Sequence, residues 1–109
     1  MTHSLTNGFA NHYGYSDVSP FEVLRVISDK TIEVREMQAT KDDSVKLEFH
    51  VGGFSANCSN QRQQKWHIEA NPQGRTVRIR LNKNGMWRDS EGRKFKLNSA
   101  PIKFYDYNF

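Results

Sequence analysis

The stretch Val77-Arg78-Ile79-Arg80-Leu81-Asn82 decides the fold class, because apolar and polar side chains alternate along it without a break. Successive side chains of a β-strand point to opposite faces, so this alternation predicts a strand with one face in a core and the other in water. The same pattern recurs at residues 45–51 and 65–70. Short alternating runs of this kind are typical of an all-β domain.

Turn residues separate these runs. Asn71-Pro72-Gln73-Gly74 has proline and glycine where a type I turn favours them, so it predicts a turn between the strands around Trp66 and Ile79. Asn84-Gly85 predicts a tight hairpin. The strands expected from these signals lie near residues 12–16, 20–28, 31–38, 45–51, 65–70, 76–82, 86–88, 93–97 and 102–108.

The pattern predicts a single all-β domain over residues 12–109, preceded by a flexible N-terminus at residues 1–11. About seven to nine short antiparallel strands would form a small barrel or a compact sandwich. An SH3-like barrel fits best, because closure removes the exposed strand edges. Residues 57–64 are compatible with one helical turn capped by Ser59.

The chain ends on its densest aromatic cluster, Phe104-Tyr105-Asp106-Tyr107-Asn108-Phe109. Termini fray unless something ties them down, and an exposed aromatic tail would be costly. We therefore expect these residues to form the last strand and the seam of the fold. Alternation places Phe104, Asp106 and Asn108 on one face and Tyr105, Tyr107 and Phe109 on the other. Deletion of residues 104–109 is then expected to unfold the domain.

The net charge of +4 is unevenly distributed, since residues 1–60 carry −3, residues 61–97 carry +7 and the remainder carries zero. This asymmetry predicts that nucleic acid, another polyanion or an acidic protein surface binds the basic segment. Exposed Trp87 or Tyr105 would stack on bases beside it. The alternative is ordinary solvated charge, because Lys and Arg also keep strand edges from pairing. The candidate contact residues are Lys65, Arg75, Arg78, Arg80, Lys83, Arg88, Arg93, Lys94 and Lys96.

The most unusual loop is Gly52-Gly53-Phe54-Ser55-Ala56-Asn57-Cys58. Paired glycines allow positive φ or a close backbone approach, and the small polar residues after Phe54 would line a recess. A phosphate-binding loop would need a following Lys-Ser/Thr and a helix, which are missing here. The alternative is a simple bend anchored by Phe54. The predicted partner-contact residues are Gly52, Gly53, Phe54, Asn57 and Cys58.

The sequence predicts neither catalysis nor a bound cofactor or metal. The spacing of Cys58 from His50 and His67 matches no zinc site, and alternation points both histidines outward. One cysteine excludes an internal disulfide, and no run approaches the ~18 apolar residues of a membrane helix. The first residues also lack the apolar run of a signal peptide. These features favour the cytoplasm of the producing or host cell.

Six segments occur in a recognisable order: Tyr15-Ser16-Asp17, residues 31–35 with Ala39-Thr40, Gly52-Gly53-Phe54, Cys58-x-Asn60-Gln61, Asn71-Pro72-Gln73-Gly74, and residues 105–109. In this order they resemble a group of short proteins found in phages, prophages and plasmids. The resemblance covers most of residues 13–109, although the group carries histidine where this chain has Asn57. It implies a mobile-element context and no established activity.

The expectation is therefore a non-enzymatic binding module whose lead partner is nucleic acid or another polyanion. The resemblance adds an alternative, a phage accessory protein that binds and inhibits or modulates a host protein. That protein would use the Gly-Gly-Phe loop and the terminal aromatics, because aromatic anchors dominate many protein interfaces. No membrane partner is expected, and the oligomeric state is left open.

Overall fold

A closed six-stranded antiparallel barrel forms the centre of the protein. The computed structural model describes residues 8–52 and 55–108. The strands in these ranges are β1 (Phe9–Tyr13), β2 (Val18–Ser19), β3 (Phe21–Ser28), β4 (Thr31–Glu36), β5 (Gln38–Lys41), β6 (Phe49–Gly52), β7 (Ser55–Cys58), β8 (Trp66–Glu69), β9 (Thr76–Leu81), β10 (Trp87–Arg88) and β11 (Lys94–Asn98). They pair in the order β11-β10-β9-β4-β3-β1, and β1 pairs again with β11 to close the barrel. The expected small all-β barrel is confirmed.

Several strands in the first half of the chain begin or end at residues other than the expected ones. β1 begins at Phe9, so residues 9–11, which were assigned to a flexible N-terminus, belong to the barrel. Asn11 lies on the outer face of β1 but is completely buried, because residues 98–102 cover it and supply its hydrogen-bond partners. A strand covered on both faces shows no simple alternation. β5 and β7 were not expected, and the run at residues 45–51 is a strand only from Phe49.

The barrel core consists of side chains that point inward from β1, β3, β4, β9 and β11. Along the opening stretch Ile79 is completely buried, whereas Arg78 and Arg80 are exposed, as alternation predicts. Trp87 packs against this core, so the expectation that it is exposed for base stacking is wrong. Burial of each large apolar side chain contributes about 1.5–3 kcal/mol. The fully packed core residues are Ala10, Phe21, Val23, Ile32, Val34, Ile79 and Phe95.

Two loops of the same geometry connect β9 to β10 and β10 to β11. Asn82 and Asp89 begin these loops, and the Oδ1 atom of each accepts hydrogen bonds from the backbone N–H groups two and four residues later. Gly85 and Gly92 have φ angles of 78° and 82°, the left-handed conformation that closes a three-residue hairpin loop. The hairpin predicted at Asn84-Gly85 is confirmed, with a three-residue loop instead of a two-residue one.

β4 and β5 form one side of a long two-stranded ribbon that extends beyond the barrel. β9 pairs with β4 and β8 pairs with β5, both antiparallel, so β8 and β9 run in the same direction. The turn at residues 71–74 is present, with the Gly74 N–H 2.8 Å from the Asn71 oxygen. It interrupts one side of the ribbon and does not reverse the chain. A Cβ on Gly74 would lie 2.1 Å from the Glu36 carbonyl oxygen, so only glycine fits there.

A second layer outside the barrel contains the β6–β7 hairpin and one 3-10 turn at Gln61–Gln63. Phe49 pairs with Cys58 and Gly52 with Ser55. Asn60, not Ser59, occupies the N-cap position of the 3-10 turn, and its side chain makes no capping bond. The side chain of Asn60 instead accepts a hydrogen bond from the Glu48 N–H at 2.7 Å. Within the described part of the chain no helix is long and apolar enough to span a membrane.

The terminal segment, defined here as residues 104–108, is not the expected final strand. It contributes one isolated bridge, in which Phe104 and Val18 exchange two hydrogen bonds of 2.9 Å. The next four backbone N–H groups, those of residues 105–108, each donate a hydrogen bond to a side-chain oxygen. The acceptors, in chain order, are the side chains of Gln64, Asp17, Gln61 and Asp106. The Asn108 side chain pairs with both the N–H and the carbonyl of Cys58.

The terminal segment therefore joins the second layer to the barrel, and the barrel seam is the β1–β11 pairing. The Tyr105 and Tyr107 rings lie 4.8 Å apart on one side of the segment, in agreement with the predicted alternation. Phe109, assigned to the same side, lies outside the described residues. Polar side chains replace a neighbouring strand along this segment, which is why a strand pattern in the sequence did not produce a strand.

Candidate nucleic-acid interface

Three cations stand in one row on the outside of the barrel. Arg80 on β9 lies directly opposite Arg88 on β10, and Arg88 lies directly opposite Lys94 on β11. The row continues to Thr31 on one side and Tyr13 on the other, so it contains no carboxylate. Neighbouring strands are about 4.8 Å apart, and like charges placed directly opposite each other destabilise a sheet. The row is therefore an energetic cost to the free protein that a bound anion would relieve.

The loop that connects β10 to β11 divides the adjoining surface into two grooves. One has a volume of about 360 Å³ and is lined by Arg78, Arg80 and Arg88. The other has a volume of about 370 Å³ and is lined by Arg75, Arg78 and Arg93, together with Glu91, whose exposed carboxylate lies 3.3 Å from the Arg93 guanidinium. Asp89 and Ser90 border both grooves. We call this surface the arginine face, with Arg75, Arg78, Arg80, Arg88 and Arg93 as its members.

Asp89 holds the loop in place and is largely neutralised within it. Its carboxylate is 1% exposed, and its Oδ2 lies 2.6 Å from Nε of Arg93. Burial alone would raise the pKa of Asp89, but hydrogen bonds from the backbone and guanidinium of Arg93 and from the Glu91 N–H hold it below its usual value. The same contact raises the pKa of Arg93. Asp89 thus adds little uncompensated negative charge to the grooves.

Most of the remaining positive charge on the arginine face is unpaired. The side chains of Arg75, Arg78 and Arg80 make no hydrogen bond or ion pair with any residue in the ranges 8–52 and 55–108. The arginines of β3 and β4 differ, because Arg25 binds Glu33 at 3.1 Å and Arg35 binds Glu22 at 2.6 Å. Guanidinium groups bind phosphate through two parallel hydrogen bonds, so unpaired arginines beside a groove suit a phosphate ligand.

Four predicted basic contacts lie at the margin of the arginine face or away from it. Lys94 extends it through the cation row, and Lys83 lies in the loop after β9. Lys96 instead places its Nζ 4.9 Å from the centre of the Tyr13 ring. Lys65 lies next to β8, and β8 pairs with β5, not β9, so the expected grouping of Lys65 with Arg78 and Arg80 is wrong.

The described residues of the predicted partner-contact loop belong to the β6–β7 hairpin. Gly52 and Asn57 take part in its strand pairing, whereas Gly53 and Phe54 lie outside the described residues. Cys58 is 3% exposed and both its backbone polar groups bind Asn108, so the expectation that it contacts a partner is wrong. In the part of the chain that the structure describes, no three His, Cys, Asp or Glu side chains come together to hold a metal ion.

Sequence reasoning missed Asp89 as the residue that organises the arginine face. A signal was available, because Asn82-x-x-Gly85 and Asp89-x-x-Gly92 repeat the same spacing. Asp and Asn favour such turns by binding their own backbone a few residues on. This repeat would have indicated two equivalent loops. The second of them places Arg88 and Arg93 on either side of the buried Asp89 carboxylate.

Comparison of the chain with protein-family models, with curated proteins and with solved structures gives no match. The resemblance to phage, prophage and plasmid proteins therefore stays a prediction. The function has to be inferred from the geometry of the surface itself.

His12 makes the stability of this end of the barrel depend on pH. Its ring lies 5.2 Å from that of Phe95 and 6.4 Å from that of Phe21. Burial lowers the pKa of His12 below 6.5, and the charge of Arg93 lowers it further. Since the unfolded chain then binds the proton more readily, stability is expected to fall as the pH falls through about 6.5.

Replacing His12 with Gln removes this titration. Urea unfolding between about pH 7.5 and about pH 5 is expected to show a weaker loss of stability for H12Q than for the wild type. Equal slopes for H12Q and the wild type would contradict the prediction.

Proposed function

We propose that the protein binds nucleic acid through the phosphate backbone, with the arginine face as the contact surface. The observation that carries this proposal is the convergence of five arginines around Asp89, next to a cross-strand row of cations without a carboxylate. A polyanion would bind several of these cations at once and would relieve their mutual repulsion.

The chemistry of the arginine face favours contacts to phosphate over contacts to bases. Its grooves are lined by charged and small polar side chains and by Val77, with no aromatic ring among them, and Trp87 packs against the core. Phosphate contacts position a protein on nucleic acid but carry no direct sequence information. We therefore expect binding with little sequence preference to both duplex and single-stranded nucleic acid.

The test is a fluorescence-anisotropy titration of labelled duplex and single-stranded oligonucleotides with the full chain. If four to five phosphates are contacted, the affinity for duplex is expected to fall about 100-fold or more between about 50 and 200 mM salt. Absence of binding at the lowest ionic strength would refute the proposal. Affinity that does not change with salt would refute the role of the phosphates.

Other expectations from the sequence stay predictions. An acidic protein surface would match the same arginine face. A pull-down treated with nuclease distinguishes the two partners, because a bound protein is retained after the nucleic acid is digested. The phage or mobile-element context, the modulation of a host protein, the absence of enzymatic activity and the cytoplasmic location rest on the sequence alone.

A further inference from the structure

A third groove, of about 380 Å³, differs in character from the two on the arginine face. It lies between the turn that follows β1 and the terminal segment. Its aromatic lining consists of Tyr15, Tyr105 and Tyr107, and its acidic lining consists of Asp17 and Asp106. We call it the tyrosine groove. Nothing in the proposed nucleic-acid contact uses these residues.

The aromatic rings of the tyrosine groove are accessible. Tyr15 is 92% exposed and Tyr105 is 46% exposed. The Tyr105 and Tyr107 rings meet at an angle of 64°, so their faces point in different directions. The face of an aromatic ring is negative and attracts cations. Nζ of Lys41 already lies 5.7 Å from the centre of the Tyr107 ring, an internal example of this attraction.

Both carboxylates of the tyrosine groove keep one oxygen available. Oδ1 of Asp17 accepts the Asp106 N–H at 2.7 Å, and Oδ1 of Asp106 accepts the Asn108 N–H at 3.0 Å. The Oδ2 atoms make no hydrogen bond or ion pair with the residues of ranges 8–52 and 55–108. His12 also lines the groove, but burial lowers its pKa, so it carries little positive charge near neutral pH.

We propose that the tyrosine groove binds arginine side chains on an exposed segment of a partner protein. A planar guanidinium stacks on tyrosine rings and donates paired hydrogen bonds to a carboxylate, which matches both linings of the groove. Neither carboxylate has a counter-ion among the described residues, and two such carboxylates repel phosphate, so the groove is not an extension of the nucleic-acid contact. The occupant is cationic and the surface is separate from the arginine face.

The test is a titration of the isotope-labelled full chain with the peptide acetyl-Gly-Arg-Gly-Arg-Gly-amide, followed by amide NMR. The control peptide has glutamine in place of arginine. Shifts are expected at Asp17, Tyr105 and Tyr107, and the glutamine peptide is expected to bind about tenfold more weakly or worse. Shifts located elsewhere, or equal binding of both peptides, would overturn the proposal. Signals of the groove that change on dilution without peptide would show a second copy as its occupant and would also overturn it.

D17N/D106N removes the two carboxylates of the tyrosine groove. D43N/E48Q is the matched control, because it also removes two negative charges. Asparagine keeps the Oδ1 acceptors of Asp17 and Asp106, so the groove is expected to keep its backbone hydrogen bonds and lose affinity for the arginine peptide about tenfold. D43N/E48Q, at exposed positions elsewhere, is expected to bind normally. Should D17N/D106N fold poorly, Y15S replaces a ring that is 92% exposed and is expected to weaken binding about threefold. Wild-type affinity in Y15S would then contradict the proposal.

Discussion

Replacing Arg78, Arg80 and Arg88 with alanine is expected to weaken nucleic-acid binding about 100-fold at low salt. These three side chains line one groove of the arginine face. Each lost phosphate contact should cost about 1 kcal/mol, between the value of an exposed ion pair and that of a charge-assisted hydrogen bond. About 3 kcal/mol in total corresponds to roughly a hundredfold change in Kd. Anisotropy titrations of the variant and the wild type measure this difference.

The control is K46A/R62A/K65A, which removes the same charge from exposed positions outside the arginine face. It includes Lys65, which the sequence assigned to the contact surface and the structure places on the far part of the ribbon. Its affinity is expected to stay within about threefold of the wild type, because distant charges contribute only a screened, long-range attraction. Equal losses in both variants would show that net charge, and not the arginine face, controls binding.

Deleting residues 104–109 is expected to release the second layer while the barrel stays folded. The barrel core includes no residue of the terminal segment, and the β1–β11 pairing closes it independently. The deletion removes the bonds from the terminal segment to Cys58, Gln61 and Gln64. This loss should lower the local opening free energy of β6 and β7 by about 3 kcal/mol, which makes their amides exchange about 100-fold faster.

Hydrogen exchange distinguishes this result from the global unfolding that the sequence alone predicted. Amides of β4 and β9 are expected to keep most of their protection, because they report on the barrel. Equal loss in the barrel and the second layer would mean that the terminal segment belongs to the same cooperative unit as the core. Unchanged protection of β6 and β7 would contradict the role given to the segment. N108A, which removes only the two bonds to Cys58, is expected to show a smaller effect in the same direction.

The parts of the fold that could be predicted are those that depend on local rules. Alternation at residues 77–82 predicted β9 and also which side chains reach the core, because the period of a strand is fixed by its backbone. The hairpin at Asn84-Gly85 was predicted because a left-handed residue closes such loops.

Partner choice between strands could not be read from the same rules. Asn71–Gly74 forms the predicted turn, yet β8 pairs with β5 and not with β9. The residues of a turn determine that the chain bends there. Which strand pairs with the next one depends on where that strand can bury its apolar face, and distant parts of the chain decide this. The grouping of Lys65 with Arg78 and Arg80 failed for this reason.

The terminal segment shows a second limit. Its aromatic residues suggested a structural role, but its backbone is held by the side chains of Gln61, Gln64 and Asp17. The sequence does not indicate from which distant N–H group a glutamine or aspartate side chain will accept a hydrogen bond. The arginine face was predicted in part, because five of its nine candidate cations converge, and Asp89 was overlooked.

The central claim is that nucleic acid contacts the arginine face, and amide NMR of the labelled protein with a short duplex tests it most directly. Shifts are expected in β9, in β10 and along the loop from Asp89 to Arg93, with little change in the second layer or the tyrosine groove. Saturable binding whose shifts lie in the tyrosine groove or in β6 and β7, with β9 and β10 unaffected, would contradict it.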